Sequence, residues 1–246
     1  MDINKVYLGD CLEIMPSIGD KSIDMILCDL PYGTTACKWD TVIPFEPLWK
    51  EYKRLIKDNG AIVLTASQPF TSALVMSNPK MFKYEWIWDK KIPSGMSYAR
   101  YQPMRQHENI LVFCEGRTKY NPQMTLRDKP ITRGGGKIDE VNNIPKPESL
   151  KGKVYTHKNP TTIVTTIKER NSSVHPTQKP VALFEYLIKT YTNEGDLVLD
   201  NCAGSGTTGV ACKNLNRNYI LIEKEPKYYD IILKRLSETQ PYLTNE

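Results

Sequence analysis

The chain has 246 residues, with 40% hydrophobic and 25% charged residues and a formal net charge of +5, ordinary values for a globular protein with an ample core. No apolar run approaches the roughly 18 residues of a membrane span, and the start Met1-Asp2-Ile3-Asn4-Lys5 lacks the pattern of a signal peptide. Six cysteines without a C-x-x-C pair and three scattered histidines argue for buried thiols, a reducing cytoplasm and no metal site.

Short β-branched or aromatic runs predict strands, in chain order, at residues 5–8, 24–28, 61–65, 84–88, 109–113, 197–199 and 219–222. Helical patterns fall at 45–56, 69–76, 181–191, 207–215 and 226–236. Strand and helix alternate, so the expected fold class is α/β, with a mixed, mostly parallel seven-stranded sheet flanked by helices. The pair 84–88 and 109–113 interrupts the alternation and predicts an antiparallel edge. Trp86 and Trp88 read as core or sheet-face residues.

Residues 115–173 read differently. Glycine and proline recur, no apolar period lasts, and 12 Lys/Arg face 6 Asp/Glu. With 33 basic and 28 acidic residues in all, the rest of the chain is close to neutral. Residues 1–246 are expected to form a single domain, carrying 115–173 as an inserted recognition segment; its surplus charge fits a solvated loop or, beside a motif that holds a base, contact with phosphates.

Two strand ends carry the chemistry. Met25-Ile26-Leu27-Cys28 empties into Asp29-Leu30-Pro31-Tyr32. The Asp29 carboxylate and the Leu30 carbonyl offer two acceptors to the N–H bonds of an exocyclic amine. Pro31 restricts Leu30 to extended geometry, and Tyr32 offers a ring for stacking on a base. A plain strand-to-turn junction would use the same residue types. The second strand end, Leu197-Val198-Leu199-Asp200, runs into Gly204-Ser205-Gly206-Thr207-Thr208-Gly209, and a third strand ends at Glu223, placed for ribose hydroxyls. This loop also satisfies G-x-G-x-x-G, so a dinucleotide-dependent oxidoreductase is a rival. Against it, only 37 residues follow Gly209, and Thr207-Thr208 replaces an apolar helix start.

In combination these motifs resemble the N6-adenine/N4-cytosine DNA methyltransferases that use S-adenosylmethionine. The order is that of the permuted group, with Asp29-Leu30-Pro31-Tyr32 first, then His175-Pro176-Thr177-Gln178-Lys179-Pro180, then Asp200 to Thr208. The resemblance implies a Rossmann-like methyltransferase fold, base flipping, and a base held by Asp29, the Leu30 carbonyl, Pro31 and Tyr32. It implies a cofactor pocket of Asp10, Cys11, His175, Thr177, Gln178, Lys179, Asp200, Gly204, Gly206, Thr207 and Glu223. Lys179, Thr177 and Gln178 would meet the methionine carboxylate; Asp10 and Cys11 would lie near the cofactor adenine. DNA is the implied partner, a cognate restriction endonuclease a further one, and monomer and homodimer are equally compatible. Asp29 at the first motif position favours adenine N6; cytosine N4, RNA and a catalytically silent DNA-binding relative are the alternatives. Leu30 replaces the family's first proline and Asn201-Cys202-Ala203 its Pro-Phe-x, which suggests a looser base loop and a more polar pocket wall. Lys38, Trp39 and Asp40 read equally as a lid over the base or as a hydrophobic lid anchor without base contact; Arg100, Arg105 and His107 are candidates for phosphate contacts, although exposed basic residues near a sheet edge usually do nothing specific.

Overall fold

The computed structural model describes residues 1–34, 37, 40–132, 152–166 and 178–239. The larger of two compact units, Met1–Asn121 with Thr162–Glu246, is built on an eight-stranded sheet. Its spatial order is β1 (Lys5–Leu8), β10 (Asn218–Glu223), β9 (Leu197–Asp200), β2 (Ile23–Cys28), β3 (Ile56–Ala66), β5 (Arg105–Phe113), β4 (Phe82–Ser94) and β8 (Ile163–Thr165). Neighbours pair in parallel except at β5, which is antiparallel to both β3 and β4.

The sheet expected to have seven strands thus has eight among the described residues. The additional strand, β8, pairs in parallel with β4 through Ile87↔Ile163 and Trp88↔Val164. Three β-branched residues suffice for it because Val164 is buried there. It lies inside the segment 115–173 expected as an insertion, yet belongs to the larger unit.

Burial on both faces explains the unbroken apolar run of β2. Ile26 and Cys28 join one cluster with Leu48, Trp49, Tyr52 and Leu55 of α2 (Phe45–Leu55) and Phe70 and Leu74 of α3 (Phe70–Ser77). Met25 and Leu27 join the other, with Leu183, Phe184 and Leu187 of α4 (Val181–Tyr191), Ala211 and Cys212 of α5 (Thr207–Asn214), and Ile232 and Leu236 of α6 (Pro226–Glu238). The α2 spacing 48, 49, 52, 55 places one stripe on the sheet. A short helix not anticipated, α1 (Cys11–Ile14), follows β1, with the Asp10 carboxylate capping it through Leu12 N at 2.9 Å.

The smaller unit, Pro122–Thr161, contains an antiparallel ribbon of β6 (Thr125–Thr132) and β7 (Val154–Lys158), registered Thr125↔Lys158 and Thr132↔Val154. Its strands are mostly exposed, which is why no apolar period marks them. No helix among the described residues is long and apolar enough to cross a membrane.

Candidate active site

The sheet changes direction of construction between β9 and β2. From that pair the chain steps outward from β9 to β10 on one side, and from β2 to β3 on the other. Ligands of open α/β sheets bind outside the carboxyl ends of the strands at such a point. Here a cavity of about 660 Å³ is lined by Asp29 after β2, Asp200 of β9, Glu223 of β10, Asp10 after β1, and Gly204. The two strand-end motifs therefore share one cavity, within the roughly 300–1,000 Å³ of ligand sites.

On the β2 side, Asp29 is held from three directions. Its Oδ1 accepts from the Tyr32 hydroxyl at 2.8 Å and from Thr65 Oγ1, and its Oδ2 accepts from Lys179 Nζ at 2.7 Å. The Tyr32 ring is stacked on Phe70 with centroids 5.2 Å apart, and Lys179 Nζ stands 5.6 Å from its centroid. Burial alone would favour a neutral Lys179 amine. The carboxylates of Asp29 and Glu108 outweigh it and raise the pKa above the ordinary lysine value, so the side chain is an ammonium. Leu30 and Pro31 line the cavity as expected, with the Leu30 side chain anchored in the core.

Asp40, weighed as part of a lid or as an anchor without base contact, accepts from the backbone N–H of Gly33 and of Thr34, both at 2.9 Å, and so fixes the loop behind Tyr32. Lys38 and Trp39 lie outside the described residues. Glu108 of β5 was not singled out. Its Oε1 accepts from Lys90 Nζ at 3.2 Å; its buried Oε2 faces Lys179 Nζ across 3.3 Å as an ion pair without a hydrogen bond. The available signal was a carboxylate two residues before the apolar run Ile110–Phe113, too common a pattern to decide from sequence. Lys179 lines the cavity, but its ammonium meets Asp29 and Glu108, a different setting from the expected reach toward a cofactor carboxylate. Gln178 lines the cavity; His175 and Thr177 lie outside the described residues.

The β9 side is built from backbone and carboxylates. Asp200 is 2% exposed, and accepts from Cys202 N at 3.1 Å and from Thr208 Oγ1. Burial, only partly offset by these donors, pushes its pKa up to about 7. Glu223 accepts from Gly204 N at 2.7 Å and from Glu225 N at 2.8 Å, and burial raises its pKa above the ordinary carboxyl value. Asp10, besides capping α1, pairs with Lys224 at 3.0 Å. Cys11 lines the cavity; its contact with Cys202 and its burial push the thiol pKa far up. Asn201 satisfies its Oδ1 with the Tyr52 hydroxyl at 2.6 Å, so part of the polar wall expected from Asn201-Cys202-Ala203 is turned into the protein.

The glycines divide. A Cβ on Gly204 would meet no heavy atom within 4 Å, and Gly204 lines the cavity, so its backbone is open to a ligand. Gly206 does not line the cavity; a Cβ there would stand 2.8 Å from Ile232 Cγ2. The close approach means that Gly206 lets α6 pack on the loop. Thr207 does line the cavity. The open Gly204 backbone, with Glu223 and Asp10 as acceptors for hydroxyl donors, fits a nucleoside-bearing cofactor.

Comparison with known proteins agrees with this geometry. The model of the DNA methylase family matches residues 23–234. The chain is 47% identical over 260 residues to the Type II methyltransferase M2.DpnII of Streptococcus pneumoniae, covering 95% of this chain and 90% of that protein. It is 28% identical over 255 residues to the DNA adenine methyltransferase YhdJ of Escherichia coli (strain K12), covering 97% and 84%. The crystal structure of the M1.HpyAVI–SAM complex superposes with a TM-score of 0.63 at 27% identity, over 94% of this chain and 98% of that one. The chain belongs to the N6/N4 DNA methylase family and is an S-adenosylmethionine-dependent DNA methyltransferase.

Proposed function

We propose that this enzyme methylates N6 of adenine in DNA, on a base swung out of the helix into the cavity beside Asp29. The observation that carries the reading is the triply held Asp29 carboxylate in a cavity shared with Gly204 and Glu223. A base inside duplex DNA is out of reach of such a pocket, hence the extrusion.

The amine of adenine shares its lone pair with the ring and is a poor nucleophile. Asp29 and the Leu30 carbonyl each accept one of its N–H bonds, favouring a more tetrahedral nitrogen with a freer lone pair. Tyr32, Thr65 and Lys179 keep the carboxylate in one orientation, so the acceptor is in place before the base arrives. Asp29 is far too weak to deprotonate the neutral amine. It accepts the proton once nitrogen has gained its methyl and become cationic. When bound, S-adenosylmethionine supplies that methyl, activated by its sulfonium; Glu223, Asp10 and the Gly204 backbone would hold it.

The unit Pro122–Thr161 is proposed as the recognition element. Arg127, Lys129, Lys153 and Lys158 are carried on or beside its exposed ribbon, and affinity for DNA should fall with salt accordingly. The likeness to M2.DpnII supports a place beside a restriction endonuclease, and DNA as substrate supports a cytoplasmic location.

Expression in a host lacking DNA methylation, followed by nucleoside mass spectrometry and modified-base sequencing, tests the proposal. N6-methyladenine at one sequence motif is the expected result. N4-methylcytosine would overturn the base assignment, and unmodified DNA from well-expressed, folded protein would overturn the function.

A further inference from the structure

The turn joining β4 to β5 has a chemistry that the site above does not use. From residue 91 to residue 103 every residue is exposed. Among them are large apolar or aromatic side chains: Met96 at 74% exposure, Tyr98 at 60% and Tyr101 at 86%. Monomeric surfaces seldom concentrate such residues without a binding role. Asp89 and Glu108 flank the segment, and between them stand Lys90, Lys91, Arg100 and Arg105 with no acidic residue. Lys90 and Lys91 are paired with those flanking carboxylates, at 3.2 and 2.7 Å. Arg100 and Arg105 make no ion pair among the described residues.

The segment is ordered by its own backbone. Gly95, at φ 92°, opens a 3-10 turn over Met96–Tyr98. Tyr98 N donates to Gly95 O at 3.0 Å, Ala99 N to Met96 O at 3.1 Å, and Tyr101 N to Tyr98 O at 2.8 Å. The tyrosines are thus presented on a formed tip, which limits the ordering cost of binding. The tip is also continuous with the active site: Ile92, Pro93 and Ser94 at its base line the same cavity as Asp29 and Lys179.

We infer that this tip is a DNA-gripping wedge at the mouth of the pocket, in which Tyr101 stacks on a base and Arg100 and Arg105 meet phosphates. The inference rests on the proposed extrusion of the target base. Taking one base out of a helix uncovers the flat faces of its neighbours, and an exposed ring beside the pocket covers such a face. Arginine flanking aromatic rings suits a strand whose phosphates lie beside its bases. A membrane surface or a second protein copy would use the apolar residues but would not explain why the base of the tip, Ile92, Pro93 and Ser94, lines the cavity.

The experiment compares Tyr101→Ala, the double variant Arg100→Gln/Arg105→Gln, and Met76→Ala as a control, an exposed residue at 72% on α3. The DNA probe is a duplex carrying the motif found by sequencing, and binding is measured by fluorescence anisotropy across a salt series. Tyr101→Ala should bind about tenfold more weakly, the loss of one base stack, with KM for DNA raised more than kcat is lowered. The arginine pair should reduce the slope of log K against log salt by about one for each lost phosphate contact. Met76→Ala should match wild type, and all three should keep wild-type melting temperature and affinity for S-adenosylmethionine. Unchanged affinity and salt slope in both tip variants would overturn the inference. So would a wild-type dimer that Tyr101→Ala dissociates with DNA affinity intact, because the tip would then be a contact between copies. DNA binding is read separately from methyl transfer, so a wild-type chain that binds DNA without methylating it would sink the proposed function and still leave the tip to be judged.

Discussion

Asp29 and Asp200 stand at the ends of neighbouring parallel strands and line one cavity, yet their surroundings differ in kind. Asp29 meets a buried ammonium, a phenol and a hydroxyl. Asp200 meets an amide N–H and a hydroxyl, and no ion pair reaches it among the described residues. At Asp200 two neutral donors offset the desolvation only in part, hence its displacement to about 7. Equivalent positions in the sheet have thus been given different tasks. The β2 side holds a carboxylate oriented by an ammonium, a phenol and a hydroxyl, and the β9 side holds a carboxyl that burial pushes toward its neutral form.

The sharpest way to break this contrast is to remove the base-side charge. Asp29→Ala should lower kcat by roughly a hundred- to a thousand-fold, the scale of losing one preorganised acceptor or donor. Calorimetry should show cofactor binding retained; equal loss of both would mean that the two sides are not separable. Lys179→Met comes next, leaving Asp29 and Glu108 without their shared cation. A charged hydrogen bond is worth about 1.5–3 kcal/mol, so methylation should fall roughly ten- to a hundred-fold, and Lys179→Arg should restore part of it. Wild-type rates in Lys179→Met would show that the ammonium does not position Asp29.

Asp200 gives the pH arm. Unfolded, its carboxyl loses the proton near its ordinary value of 3.8; folded, it keeps the proton to about 7. Between those values the unfolded chain binds fewer protons, so this residue lowers stability as pH rises from about 4 to 7, and the effect is level beyond. Its size is on the order of a few kcal/mol. Asp200→Asn should flatten that decline in a series of melting curves, and an unchanged decline would refute the assignment.

The two loop glycines sharpen the comparison at the smallest scale. Gly206→Ala combines a positive φ of 77° with the approach to Ile232; it should cost about 1–3 kcal/mol of stability. Gly204→Ala at φ 55° meets open space and should cost about 1–2 kcal/mol, with the larger change in affinity for S-adenosylmethionine. Denaturant melts beside cofactor titrations separate the two, and equal effects on affinity would return Gly206 to the pocket.

Much of this was legible in the residues because strand ends announce themselves. The run 25–28 and the run 197–199 are apolar, and each is cut off by an aspartate at the cavity. Other features were hidden for identifiable reasons. β8 is three residues long, and only the exposed edge of β4 makes it a strand. Gly206 shares a motif with Gly204, but whether a glycine admits a ligand or a helix depends on Ile232, which is 26 positions away. Glu108 precedes an apolar run like many surface carboxylates, and only the arrival of Lys179 from the far end of the chain makes it part of the site.

The sheet order has a consequence for how the chain is made. β1 and β2 are consecutive in sequence, but β10 and β9 stand between them. A nascent chain that has emerged through residue 196 therefore carries β1 without a partner and β2 with one edge bare, and sheet assembly waits on the final strands. Exposed edges of this kind invite pairing with other chains. A premature stop before β9 should thus yield aggregates rather than a weakened enzyme, and β9, α5, β10 and α6 complete the fold as well as the pocket.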